Sequence, residues 1–286
     1  MTGLLLDVAA PVRAGRPARA RRAGLWWLLP PVVVLLGFFG YPLVLVAVQS
    51  FTSKSGELTL SVWGEVLGSA EFRDAAGPTV LLALGSAAGC LLLGTFLALA
   101  VAFVPFPGAR GLARVVDTLP AFPSFLIALA FTFLYGSAGL LGAGGFLYSP
   151  WGVLLAEVTF YTPFVMRPAL AAFGQVPAAQ LEVAASLGAR PGRVLRQVVL
   201  PEARPALASG TCLVLLLTVN EFGIVAFLGA KGVSTLPVLI YGKAIVTFDF
   251  PAASVVAVVD VVLSLVLYAG HRRAVGGGRR AAVDQA

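Results

Sequence analysis

The stretch EVAASLGARPGRVLRQVVLP, residues 182–201, sets Arg190, Arg193 and Arg196 at every third position, between two apolar runs each long enough to cross a membrane. Its surroundings decide how it is read. The 286-residue chain is 59% hydrophobic and only 12% charged, too apolar for the solvated surface of a soluble domain of that size. Crossing a hydrocarbon core of about 30 Å takes roughly 20 mostly apolar residues. Six segments meet that requirement, approximately 25–49, 79–104, 115–135, 151–173, 206–228 and 252–268. The expected fold class is therefore an all-α membrane protein with six transmembrane helices. Pro120 and Pro123 interrupt the start of the third, an interruption that membrane helices tolerate better than soluble ones.

Orientation follows from Lys and Arg, which concentrate in cytoplasmic loops. Alternate loops and tails carry Arg13, Arg16, Arg19, Arg21 and Arg22, then Arg110 and Arg114, then Arg190, Arg193, Arg196 and Arg204, then Arg272, Arg273, Arg279 and Arg280. The opposite side holds Lys54, Arg73, Lys231 and Lys243, offset by Glu57, Glu65, Glu71 and Asp74. Both termini and the 178–204 loop are expected in the cytoplasm. The formal charge of +7 is then a topology and lipid-surface signal that requires no nucleic-acid partner. Arg21 and Arg22 do not open a secretory or twin-arginine signal on this reading, because the apolar run after them is too long and no A-x-A site follows it.

Several chemistries are excluded by count. No G-x-x-x-x-G-K-[ST] phosphate loop occurs; the fragment Gly242-Lys243 lacks the rest. The single histidine, His271, belongs to the basic flank, so neither a histidine triad nor a multi-histidine metal site exists, and no catalytic or metal-ligating residue is assigned. GAGG at 142–145 follows no strand and is read as a flexible outer loop, while Cys90 and Cys212 read as small buried apolar residues.

Residues 178–187 favour a helix, with Leu181, Ala184, Ala185 and Leu187 on its small apolar side, and Gly188 is the natural stop. Pro191 suits the first turn of a second short helix that groups Val194, Leu195 and Val198. On the residues alone, two roles stay open: a pair that docks into a partner's cleft, or an amphipathic pair lying on lipid phosphates.

A resemblance bears on that choice. Glu182, Ala184, Gly188 and, after nine residues, Val198-Val199-Leu200-Pro201 resemble the E-A-A-x3-G-x9-I-x-L-P signature of the permease subunits of bacterial binding-protein-dependent ABC importers, with Val183 and Val198 as apolar exchanges. The likeness covers approximately residues 77–271. It implies a type I importer permease fold in the inner membrane, with Glu182, Ala184, Gly188, Leu200 and Pro201 in a loop that docks on an ATPase. It further implies an ATP-binding subunit dimer that uses ATP as this chain binds none, a second permease subunit (homologous or identical), and an extracytoplasmic solute-binding protein. TVNEFGIVAFLGAKGVSTLPVLIYGKAI, residues 218–245, is similar to permeases for 2-aminoethylphosphonate, NEFG at 220–223 above all. Permeases for polyamines, ferric iron, sulfate and thiamine share the core and stay open as alternatives.

Within the spans, Glu157, Glu221 and Asp260 lie about 9, 11 and 12 Å from the outer ends of their segments at 1.5 Å per residue. Ionisable groups at that depth are costly and point either to a pathway or to packing between helices. If they share a cavity, they form an acidic ring for an ammonium-bearing solute, with Asn220 as a hydrogen-bond partner. Arg167, about 24 Å into the fourth segment, is expected to snorkel to the inner surface. The organisation expected is a basic tail (1–24), a first helix and outer loop (25–76), the importer core (77–271) and a cytoplasmic tail (272–286). A secondary transporter is the rival of another class; its inverted repeats with matching broken helices are not visible. A membrane-embedded enzyme would require a cluster of acidic or histidine residues at a membrane face, and none is present.

Overall fold

A computed structural model describes residues 27–229 and 232–283, the last helix beyond Arg273 by its backbone alone. The expectations for the N-terminal tail, Lys231, the side chain of His271, and Arg279 and Arg280 lie outside what is described. The chain divides into two units, residues 1–48 and 49–286.

The first unit holds α1 (Leu29–Gln49), which is apolar around its whole circumference and long enough to span a membrane. Its middle turn, Leu36–Gly40, is π-helical.

In the second unit, α2 (Ser61–Gly68) leads into the long α3 (Ala70–Phe103). Ser69 starts α3 by accepting the Phe72 N–H at 3.1 Å, and Glu71 sits in the first turn, where the helix dipole favours an anion. The third expected span is bent. α4 (Ala109–Thr118) and α5 (Ser124–Tyr135) meet at 113° across Pro120 and Pro123, neither of which has an N–H to continue a helix. α4 is amphipathic, with Leu112, Ala113 and Val116 turned to the core and Arg110 and Arg114 exposed. The GAGG segment expected as a loop is partly ordered: Gly144–Leu147 is one helical turn, and Leu147 is fully buried. The fourth segment is α6 (Pro150–Tyr161) followed, after Thr162, by α7 (Pro163–Phe173).

A ladder of small residues joins α3 to α6 and α7, the close-packing device of membrane helices, where the hydrophobic effect does not drive association. A Cβ at Gly85 would meet Leu154, at Gly89 Val158, and at Gly94 Val165 and the Thr162 carbonyl. Contacts that ascend in both helices make them parallel. The intervening chain must therefore return to the opposite end of the bundle, and α5 makes that return.

α8 (Ala178–Ser186) is followed by α9 (Pro191–Val219), which absorbs the expected second short helix into one continuous helix and begins the fifth span earlier. The span also ends earlier than 228. The chain breaks at residues 220–222, and α10 (Gly223–Leu228) is a separate element. A short apolar helix that the hydropathy pattern did not separate, α11 (Leu236–Val246), precedes α12 (Phe250–Val283). Among the described residues, four helices are long and apolar enough to cross a membrane, five if the bent pair counts as one span. Three core clusters stack along α3: one around Ala75, Leu236 and Val255, a central one around Cys90, Phe160 and Ile224, and one around Ala98, Met166 and Ala203. Cys90 and Cys212 are buried and free.

Candidate functional site

The 182–201 stretch folds into a helix, a tight reversal and a second helix. Gly188 has φ +76°, its N–H bonds the Ala185 carbonyl at 2.9 Å, and the Ala189 N–H bonds the Ala184 carbonyl at 3.0 Å. That pair of bonds is a Schellman turn, which needs a left-handed residue where a Cβ is penalised. Beyond it, residues Leu195–Val199 form a π-helical turn, immediately before Pro201 and Pro205 withdraw two donors from the helical ladder.

The small apolar side expected for α8 is divided between two surfaces. Ala184 and Leu187, with Val183, Val198 and Pro201, line an open groove of about 580 Å³. Leu181 and Ala185 face the other way, toward Phe96 and Phe103 of α3. Leu187 is 82% exposed and Val183 58%, so the tip of the loop presents apolar surface that none of the described residues covers. Glu182 is exposed, whereas Leu200 packs against the core cluster that holds Val199 and Ala203 and so fixes the loop to the bundle.

The four expected path residues are separated in role. Glu221 sits in the break between α9 and α10, and both its oxygens are used: Oε1 accepts from Ser124 Oγ at 2.9 Å and from the Ile224 N–H at 2.7 Å, and Oε2 accepts from the Tyr161 hydroxyl. Glu157, fully buried on α6, accepts from Ser86 Oγ at 2.5 Å through Oε2, while Oε1 has no partner. Glu157 and Glu221 draw on different donors, and Asp260 shares none of them. Asp260 is buried on α12, with Oδ1 lacking a partner. Asn220 is exposed and donates to Ser264 Oγ at 3.1 Å, one helical turn beyond Asp260. Glu221 lies in the interrupted backbone, so the depth counted along one unbroken fifth span does not apply to it.

NEFG is thus a junction. Asn220 ties α9 to α12, Glu221 ties α10 to α5 and α6, and Gly223 leaves room, since a Cβ there would lie 2.6 Å from Ser124 Oγ. Ser86, Ser124 and Tyr161 were not anticipated. Their signal in the sequence is a hydroxyl inside an apolar segment, which marks a polar contact but not its partner.

Arg167, expected to snorkel, is half exposed and paired with Asp117. Its Nε donates to Asp117 Oδ1 at 2.6 Å, and a second guanidinium nitrogen donates to the Asp117 carbonyl. At the opposite end of the bundle, Lys54 pairs with Asp249 at 2.8 Å and Lys243 with Glu71 at 2.5 Å. Burial pushes the Asp249 carboxyl up, but hydrogen bonds from Lys54 and the Ala252 N–H, with the charges of Lys54 and Lys243, outweigh it and hold the group below the usual carboxylate range.

Residues 90–275 match the family described as the binding-protein-dependent transport system inner membrane component. The chain belongs to this family. It is an inner-membrane transport permease, and the match takes in the 182–201 loop, the NEFG junction and most of α12. A relative in Salmonella paratyphi A, named for 2-aminoethylphosphonate transport as the permease protein PhnU, is 47% identical over 283 residues, 95% of this chain and 96% of that one. The fold is also that of a bacterial ABC transporter for import of the acidic polysaccharide alginate, with a TM-score of 0.78 at 19% identity, over 90% of this chain and 96% of that one. A second structure of an alginate transporter, in complex with an alginate-bound periplasmic protein, gives 0.77 at 18% identity, over 89% and 95%. The expected type I importer permease fold is the one observed.

Proposed function

We propose that this permease forms the membrane path of an ATP-driven importer for 2-aminoethylphosphonate. The observation that carries the substrate is the 47% identity, over nearly the whole length, to the relative named for that solute. The assembly follows from the family: a second permease subunit beside this one, an ATP-binding subunit dimer beneath, and an extracytoplasmic binding protein above. This chain supplies the docking loop and binds no ATP itself. Closure of the ATPase dimer would draw the two docking loops together, and the rigid Schellman turn at Gly188 suits a lever that transmits motion without melting.

In this reading both termini and the 178–204 loop are cytoplasmic. Asp260 and Asn220 are the path residues best placed to meet the solute's ammonium group, because Asp260 keeps an unpartnered oxygen one turn from Ser264, which Asn220 holds. Glu157 also keeps a free oxygen, whereas Glu221 is committed to the helix junction.

The deciding experiment is ATP-dependent uptake in vesicles that carry the permease with its co-expressed ATPase and binding protein, comparing labelled 2-aminoethylphosphonate with putrescine, sulfate, ferric iron and thiamine. Saturable uptake of 2-aminoethylphosphonate that the others do not compete is expected. Uptake of another solute in its place would overturn the substrate, and uptake driven by an ion gradient without ATP would overturn the class.

A further inference from the structure

Besides the groove lined by Ala184, Val198 and Pro201, the 178–204 loop, proposed above to dock on an ATPase, borders a second face. Between α8 and the last two turns of α3 lies an apolar cavity of about 770 Å³, walled by Phe96, Ala100 and Phe103 on one side and Leu181, Ala185 and Leu195 on the other. Residues 96–103 cover about 10 Å of helix rise at the end of a run long and apolar enough to cross a membrane. It opens beside a second concavity of about 520 Å³, lined by Arg190, Arg193 and Arg196, and Gly192 borders both. The three arginines are exposed, and no guanidinium among them has an ion-pair or hydrogen-bond partner among the described residues.

We propose that this pair of concavities binds one anionic phospholipid, an acyl chain in the apolar cavity and the headgroup phosphate on the arginines. Charge complementarity and continuity argue for that occupant. An apolar slot that ends at three unpaired guanidinium groups matches a molecule with a long hydrocarbon chain and one terminal anion, which the anionic lipids of a bilayer supply. The motif residues Ala184, Val198 and Pro201 line a different groove. A partner seated there leaves the lipid slot open. The bound lipid would hold α8 against α3 and make the stiffness of the docking loop depend on membrane composition.

The test is native mass spectrometry of the purified full-length permease after exchange into mixed micelles containing equal phosphatidylglycerol and phosphatidylcholine. Retention of one phosphatidylglycerol, at about ten-fold preference, is expected. The triple variant Arg190→Gln/Arg193→Gln/Arg196→Gln should lose the preference, and the corresponding three Arg→Lys changes should keep most of it. Ala100→Phe, which fills the slot, should lose the bound lipid with the arginines intact. Equal retention of the two lipids by the wild type overturns the proposal. So does a preference that survives both the Gln variant and Ala100→Phe, since the lipid then sits elsewhere. Displacement of the lipid by millimolar inorganic phosphate, with Ala100→Phe behaving as wild type, identifies a free-anion site and overturns it also. If the Gln variant releases the ATPase while its lipid preference is unchanged, the arginines serve a protein contact and the proposal fails.

Discussion

The Tyr161 hydroxyl donates to Glu221 Oε2, joining the last residue of α6 to the break between α9 and α10 across 60 positions of sequence. Together with Ser124 and the Ile224 N–H it satisfies a carboxylate that is 95% buried in the bundle. Three donors from three elements hold one anion, and the anion in turn caps α10.

Tyr161→Phe should therefore destabilise the permease by about 1–3 kcal/mol, the cost of leaving a buried acceptor short of a donor. Glu221→Gln should cost a similar amount, because its amide nitrogen cannot accept from the tyrosine. Chemical unfolding of purified protein measures both. In the double variant the two losses should fall short of their sum by about 0.5–3 kcal/mol, and simple additivity would show that the bond carries no energy.

Gly210 packs α9 against α7, where a Cβ would stand 2.7 Å from the Phe164 carbonyl and 3.0 Å from the Val165 Cα. Those are backbone atoms and cannot step aside. Gly210→Ala should lower stability by about 1–3 kcal/mol, while Gly64→Ala, where a Cβ meets nothing within 4 Å, serves as the control. Equal melting temperatures for the two would refute the packing argument.

Gly188 is needed for its backbone, not for space within the chain, since a Cβ there meets nothing within 4 Å. Gly188→Asn should fold and transport, because Asn tolerates the left-handed region, and Gly188→Ala should cost roughly 1–2 kcal/mol. Gly188→Arg should leave the subunit's level near normal yet release the ATPase on co-purification and abolish uptake, since an unpaired charge enters the interface. Normal ATPase retention and uptake in Gly188→Arg would remove the docking role.

The Lys54–Asp249 pair fastens the 52–60 loop to the start of α12. Because the folded Asp249 value lies below the unfolded one of about 3.9, its contribution is fully present above that pH and is lost as pH falls through the lowered folded value. A spin label at Ser55→Cys should stay immobile from neutrality down through about pH 4 and become mobile only further down, as pH falls through the lowered folded value. Asp249→Asn should make it mobile at every pH; an unchanged profile in that variant would assign the transition to another group.

Asp260→Asn should raise the apparent KM for 2-aminoethylphosphonate about ten-fold at unchanged protein level, the effect of roughly 1.4 kcal/mol lost from an ammonium contact. A fall in stability with no change in KM would place Asp260 in packing instead.

What was legible in the sequence is what short-range chemistry encodes. The hydrophobic runs follow from the thickness of the hydrocarbon layer, and the reversal within residues 182–201 from spacings that close within twenty residues of one another, down to the left-handed stop at Gly188. What only the tertiary structure decided was set by partners far away in the chain. Arg167 shows no partner in its own segment, and only the fold brings Asp117, fifty positions earlier, against it. Glu157, Glu221 and Asp260 read as three acids at one depth, and only the fold shows that Ser86 holds one oxygen of Glu157 while Ser124 and Tyr161 hold Glu221. The break at 220–222 has the same origin: hydropathy runs on through NEFG, but the backbone parts where a buried carboxylate caps a new helix. Hydropathy and local spacing are properties of neighbours in sequence, whereas in a membrane core each buried polar group is placed by whichever distant donor or acceptor satisfies it.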